Sequence, residues 1–181
     1  MEFDKYKQKG AYHWKEYKDK SAYGKHADKV KGWIRKDGKT LDIGAGDGLI
    51  THLINAKGID NNDIAVKLAK GKGVDVSYGN AYQLEFKDNS FDNVFMGDVI
   101  EHLEFPDTAM IEIKRILKKD GYVYIVTPPA KENGLHDKYH YREYKSNELI
   151  ECMEKNGFGL VGDIEIVNKF VRMYGIFKKL K

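Results

Sequence analysis

Lys39-Thr40-Leu41-Asp42-Ile43-Gly44-Ala45-Gly46-Asp47-Gly48-Leu49 is the stretch that decides the fold. A short strand-like run ends in three glycines at alternate positions, and Leu49 to Asn55 then reads as a short helix. Strand, glycine turn and helix form the opening unit of a parallel α/β sheet. Ligands of such sheets sit beyond the carboxyl ends of the strands, which is where this turn falls. Glycine there lets the backbone approach a ligand and adopt positive φ. The G-x-G-x-G spacing of Gly44, Gly46 and Gly48 differs from the G-x-G-x-x-G of dinucleotide sites.

The alternation continues outward. Upstream, residues 5 to 36 read as helix, with Ala22, Tyr23, Ala27, Val30, Trp33 and Ile34 at helical spacing and a stop at Asp37-Gly38. Downstream, strands are expected at Ala56–Asp60, Val74–Tyr78, Phe91–Met96 and Tyr122–Thr127. Ile64 to Lys70 is helical, and Pro106 opens a helix with the apolar stripe Ala109, Met110, Ile113, Ile116 and Leu117. Gly121 is expected just past its end, and Ser146 to cap a further helix ending at Gly157. Leu160–Val167 and Phe170–Phe177 are joined by only Asn168-Lys169, too short for a crossover, so they pair antiparallel. The expectation is a doubly wound, mainly parallel, seven-stranded Rossmann-like sheet with an antiparallel edge strand and helices on both faces. The 181 residues are expected to form one domain, with an N-terminal helical cap at 1–38 and a core at 39–181.

Hydrophobic residues make up 41% and charged residues 33%, a globular balance. No apolar run approaches about 18 residues, so no transmembrane helix and no membrane partner are expected. Met1-Glu2-Phe3-Asp4-Lys5 lacks the apolar stretch of a secretory signal. The single Cys152 excludes an internal disulfide and any multi-Cys metal site. These features point to a cytoplasmic protein. A net charge of +3 is too small to argue for a nucleic-acid partner. Residues 1 to 40 hold twelve Lys/Arg against six Asp/Glu, and only four of the 31 basic residues are Arg. That pattern reads as a solvated basic helical face, or as a basic lip that attracts an anion.

Asp60 lies 16 residues after Gly44, at the end of the second strand, where a carboxylate can accept two hydrogen bonds from a ribose diol. Asp42, just before the turn, is a second acid on the same rim. Two acids beside the glycines disfavour a phosphate and favour a cationic ligand. Asn80-Ala81 ends the third strand, where an amide oxygen can accept from an adenine amino group. Each of these residues taken singly also suits ordinary turn or helix capping.

Together these residues are similar to a known family. Leu41-Asp42-Ile43-Gly44-Ala45-Gly46-Asp47-Gly48 resembles the first motif of class I S-adenosylmethionine-dependent methyltransferases. Gly58-Ile59-Asp60 resembles their ribose-binding segment, and Gly79-Asn80-Ala81 with Phe86 to Asp92 their adenine-binding stretch. Asp98-Val99-Ile100-Glu101-His102-Leu103 looks like the corresponding segment of small-molecule members related to the quinone-biosynthesis methyltransferases. Arg115 to Gly121 and Thr127-Pro128-Pro129 also match. The resemblance implies S-adenosylmethionine as cofactor: Gly44 and Gly46 against its methionine part, Asp42 near its amino group, Asp60 on the ribose, Asn80 and Ala81 beside the adenine. Ala45, Gly48, Asn61 and Asp98 complete the implied set. Asn80 stands where the family usually carries Asp, and it keeps one acceptor. The Pro-Pro pair follows the fifth strand, whereas base N-methylating members carry theirs after the fourth; this argues against a nucleic-acid base as acceptor.

The resemblance implies methyl transfer to a small-molecule acceptor by in-line displacement, at oxygen, carbon or nitrogen. The protein need only align donor and acceptor, exclude water and remove a proton where required. His102 is the candidate base, or else a residue that shapes the pocket; His136 and His140 lie in a later loop. No metal is expected, because no carboxylate spacing supports a His-His site. Tyr12, His13, Trp14, Tyr17 and Tyr23 either pack the first helix or form a lid. Cys152, on an apolar face with Leu149 and Met153, reads as core. The alternatives are a non-catalytic cofactor-binding or interaction module on the same fold, or a nicotinamide oxidoreductase.

Overall fold

The computed structural model describes residues 4–131, 137–169 and 171–181. The chain divides into two compact units, Met1–Asn80 and Ala81–Lys181.

In the first unit the helix expected over residues 5 to 36 is three: α1 (Asp4–Lys9), α2 (Tyr12–Lys18) and α3 (Ala22–Trp33). Gly10 at φ 63° and Lys20 at φ 51° break the run, because a left-handed residue cannot sit inside an α-helix. Ser21 restarts it, its hydroxyl accepting the Gly24 N–H at 3.1 Å. Half of the predicted stripe is buried, with Ala27 and Val30 0% exposed and Ile34 beside them, while Tyr23 and Trp33 are half-buried and Ala22 is exposed. Next come β1 (Thr40–Ile43), α4 (Leu49–Leu53), β2 (Lys57–Asp60), α5 (Asp63–Gly71) and β3 (Val76–Tyr78). β2 pairs in parallel with β1 on one side and β3 on the other. Asn62 caps α5, its side-chain oxygen accepting the N–H groups of Ile64 and Ala65.

The second unit runs β4 (Phe91–Gly97), a 3-10 turn (Ile100–His102), α6 (Pro106–Ile116), β5 (Leu117–Thr127), α7 (Ser146–Lys155), β6 (Phe158–Leu160), β7 (Glu165–Val167) and β8 (Arg172–Lys179). β4 and β5 are parallel, and β8 is antiparallel to β5, β6 and β7. The stripe of α6 is fully buried, and burying its Met, Ile and Leu side chains contributes about 1.5–3 kcal/mol each.

Four expectations are corrected here. Eight strands are described instead of seven, because the run expected at Leu160–Val167 is broken at Gly162, φ 73°, and its start moves back to Phe158. The last strand begins at Arg172; Phe170 lies outside the described residues. Gly121 is not a helix terminus but part of β5, which starts directly after α6. Leu117 pairs with Phe91 and Tyr122 with Asn93, so the residues between bulge out, and Asp120 takes φ 63°. A Cβ on Gly121 would lie 3.0 Å from the carbonyl oxygens of Asp92 and Lys118. Ser146 is the first residue of α7 and not its cap; the Glu148 carboxylate accepts the Lys145 N–H at 3.0 Å, while the Ser146 hydroxyl donates to the Met173 sulfur.

Candidate functional site

The glycine turn of the first unit is a left-handed run. Gly44, Gly46 and Gly48 have φ of 77°, 57° and 80°, which explains glycine at all three. The N–H groups of Gly44 and Ala45 donate to the Ile59 carbonyl at 2.9 and 3.0 Å, tying the turn to the end of β2. Asp60 completes the tie: its carboxylate accepts the Gly46 N–H and the Asn62 N–H, each at 2.8 Å. Gly44 is exposed, while Ala45, Gly46 and Gly48 are buried.

Asp42 is 2% exposed, and the Thr51 hydroxyl donates to its carboxylate at 2.6 Å. Burial pushes its pKa up to about 7 against the lowering effect of that hydrogen bond, and the neighbouring Asp60 adds to the rise. Burial likewise raises Asp60, with its two backbone N–H bonds opposing. Among the described residues both acids bond to neutral groups, a hydroxyl and backbone amides. A buried carboxylate without a cation beside it is costly. This pair therefore fits a ligand that brings positive charge and hydroxyl donors. Asn61 is exposed next to Asp60, and Asn80 is exposed two residues beyond β3.

The N-terminal helices reach this turn. The His13 N–H donates to the Asp47 carboxylate at 3.0 Å, and the Trp14 indole N–H to the Asp47 carbonyl at 2.9 Å. His13 stacks on Tyr23 with ring centroids 4.4 Å apart, and Tyr6 lies 5.4 Å from Tyr12. Tyr17 instead donates to Asp28 at 2.8 Å, on the exposed side. Tyr6 is 9% exposed, and its hydroxyl would stand 2.2 Å from a Cβ placed on Gly46. Sequence reasoning missed Tyr6, Asp47 and Thr51.

In the second unit, Asp98 follows β4 at φ 54° and forms an ion pair with Arg172 at 2.6 Å. Glu101 is buried, and the Thr127 hydroxyl donates to its carboxylate at 2.9 Å. Burial and the nearby Asp98 charge raise the Glu101 pKa well above the usual carboxylate range. His102 Nδ1 lies 3.2 Å from the Tyr139 carbonyl oxygen, and His140 Nδ1 lies 2.5 Å from the Glu143 carboxylate. The two imidazoles meet edge to face, centroids 4.7 Å apart. The expectation that no carboxylate spacing supports a His-His group is thereby corrected: Glu101, His102 and His140 present donor atoms within 4.8 Å of one another. The spacing was invisible because His140 is brought in by a turn, with the Tyr141 and Arg142 N–H groups donating to the Glu101 carbonyl. His136 lies outside the described residues. Ala81 is half-buried, as is Cys152, in contrast to the fully buried Leu149 and Met153. Burial pushes the Cys152 thiol pKa up, so it is not an activated nucleophile.

Residues 41–125 match the model of a methyltransferase domain. A demethylmenaquinone methyltransferase of Staphylococcus aureus is 31% identical over 162 residues, covering 76% of this chain and 67% of that protein. The chain belongs to the S-adenosylmethionine-dependent methyltransferase family. A Thermotoga maritima structure, described as a SAM-dependent methyltransferase and possible histamine N-methyltransferase, superposes with TM-score 0.72 at 25% identity, covering 84% of this chain and 87% of that one. A chain from the complex between the Haloferax volcanii Trm112 methyltransferase activator and its methyltransferase gives TM-score 0.80 at 18% identity, covering 99% and 98%. These likenesses bear out the Rossmann-like fold: a mostly parallel sheet with an antiparallel edge, helices on both sides and N-terminal helices. Family and fold imply S-adenosylmethionine as the cofactor of this methyltransferase. The chain spans between 45% and 57% of the length of several other curated relatives. Among the described residues no helix is long and apolar enough to cross a membrane.

Proposed function

We propose that this chain transfers a methyl group from S-adenosylmethionine to a small-molecule acceptor in the cytoplasm. The observation that carries the proposal is the pair of buried carboxylates, Asp42 and Asp60, at a glycine turn, bonded among the described residues to a hydroxyl and backbone amides and to no basic side chain. Bound S-adenosylmethionine supplies an activated methyl on a sulfonium, together with an ammonium and a ribose diol. The second lone pairs of the Asp60 carboxylate accept the diol, with Asn61 beside it. Asp42 balances the positive charge. Gly44, Ala45, Gly46 and Gly48 let the backbone run against the methionine part, and Asn80 and Ala81 flank the adenine. Asp98 belongs to the same cofactor set, its charge held by Arg172. Tyr6 and α2 cover the turn and keep water away from it.

His102 serves the acceptor. A ring whose Nδ1 proton points to the Tyr139 carbonyl presents its Nε2 lone pair, the form that takes a proton from an acceptor O–H or N–H. A nicotinamide ligand is disfavoured by the glycine spacing and by the family. The test is calorimetry and thermal shift with S-adenosylhomocysteine against NAD. Saturable binding of the first alone supports the reading, and binding of NAD alone overturns it. A protein that binds the cofactor product yet turns over no acceptor would instead be a binding module.

A further inference from the structure

We propose that Glu101, His102 and His140 form a binding site for one divalent transition-metal cation, with zinc as the reference ion. Among the described residues they are the one group of three such side chains whose donor atoms converge, all within 4.8 Å of one another. Two imidazoles and a carboxylate are the donor set of many zinc sites, and first-row metals with nitrogen and oxygen preference take the same set. Magnesium and calcium prefer all-oxygen shells and should bind far more weakly.

The supporting contacts are those a metal site requires. Ligating histidines almost always direct their other ring nitrogen to a carbonyl or carboxylate, which fixes tautomer and ring orientation. Both histidines do so here: His102 Nδ1 toward the Tyr139 carbonyl at 3.2 Å, and His140 Nδ1 toward the Glu143 carboxylate at 2.5 Å. Each ring is thereby set to present Nε2 as a ligand. The carboxylate is oriented in the same way, held by the Thr127 hydroxyl at 2.9 Å. The segment carrying His140 is fastened to the turn carrying Glu101 by two backbone hydrogen bonds, at 2.8 and 3.2 Å. Glu101 and Glu143 are buried, and the His140 side chain is 8% exposed, so the donors are not loose surface groups. Ligands about 2.0–2.2 Å from a tetrahedral zinc stand about 3.5 Å apart, so side-chain adjustments of about 1 Å would close the shell.

The site reaches beyond the proposed function and changes one part of it. A bound cation lowers the pKa of a coordinated hydroxyl. His102 then holds the ion rather than the proton, and the fitting acceptor class is an alcohol or phenol. That consequence rests on the methyl-transfer reading; the metal site itself does not.

The test uses the full chain, without any purification tag and freed of metal by dialysis against a chelator, titrated with zinc chloride by calorimetry. We expect one zinc per chain with Kd at or below about 1 μM, and magnesium chloride at least about 100-fold weaker. His140→Ala should weaken zinc binding by about 100-fold or more, and Glu143→Gln by about 10–100-fold. Glu101→Gln should do as much as His140→Ala if it folds by circular dichroism; His140→Ala carries the test if it does not. Cobalt chloride should give an intense visible d–d absorption in the wild type that His140→Ala abolishes. His52→Ala, at an exposed histidine elsewhere, should change nothing. No saturable zinc binding below about 1 mM, or binding that a folded His140→Ala retains, overturns the site and leaves the two histidines as a packed aromatic pair. S-adenosylhomocysteine titrated into the same sample reads the cofactor proposal separately, so either can fail without the other.

Discussion

At the scale of single residues, the acids and the glycine turn make separable predictions. Asp60→Ala should weaken S-adenosylhomocysteine binding by about 1.5–3 kcal/mol, the size of a hydrogen bond to a charged group; unchanged affinity in a folded variant would remove Asp60 from the site. Gly46→Val combines a φ of 57° with a Cβ that collides with the Tyr6 hydroxyl. It should abolish binding and displace Tyr6 while the circular dichroism spectrum stays close to wild type. Asp42 has a sign to work out. Its folded pKa of about 7 lies above the ordinary value near 3.9, so the folded ligand-free chain binds a proton that the unfolded chain has released. The stabilisation is fully present below about pH 4 and is lost as pH rises through about 7. Urea unfolding should therefore show this contribution falling between pH 4 and 7 in wild type and missing in Asp42→Asn. A cationic ligand favours the ionised form, so S-adenosylmethionine should bind with proton release near pH 6, measured by calorimetry in buffers of different ionisation enthalpy. His102→Ala should lower the methyl-transfer rate by about 10²–10⁴-fold while S-adenosylhomocysteine affinity holds. A large loss of that affinity would place His102 with the cofactor.

At the scale of elements, the joints matter more than the helices and strands they connect. α2 is anchored to the glycine turn through Trp14 and His13. Trp14→Phe keeps a ring but loses the donor to the Asp47 carbonyl. It should cost about 0.5–1.5 kcal/mol in urea unfolding and speed proteolysis within the first twenty residues. The bulge between α6 and β5 has a sharper requirement. Gly121→Val sets a side chain against two backbone oxygens that cannot move aside, so a loss of about 1–3 kcal/mol is expected. An unchanged urea midpoint would mean the bulge relaxes freely.

At the scale of the whole molecule, a ligand that binds only the folded chain raises its stability by RT ln(1 + [L]/Kd), about 2.7 kcal/mol at a hundredfold excess over Kd. S-adenosylhomocysteine should therefore raise Tm in a concentration-dependent way, and NAD should leave it unchanged. The sequence alone determined the parts ruled by local physics. Short apolar runs located β1 to β5, a 3.6-residue period gave the α6 stripe, and three glycines in series announced a turn that only left-handed backbone can make. Asp60 was legible as part of the candidate site because its place follows from strand and turn. Local patterns also misled. The helical stripe of residues 22–34 hid the breaks at Gly10 and Lys20, and Gly121 looked like a helix end when it is a bulge. Only the tertiary structure decided that Tyr6 lies over Gly46, that Thr51 bonds Asp42, and that His140 joins Glu101 and His102. The reason is the same in each case. These contacts join side chains from different elements, and their convergence is set by packing and backbone closure, which leave no period in the sequence.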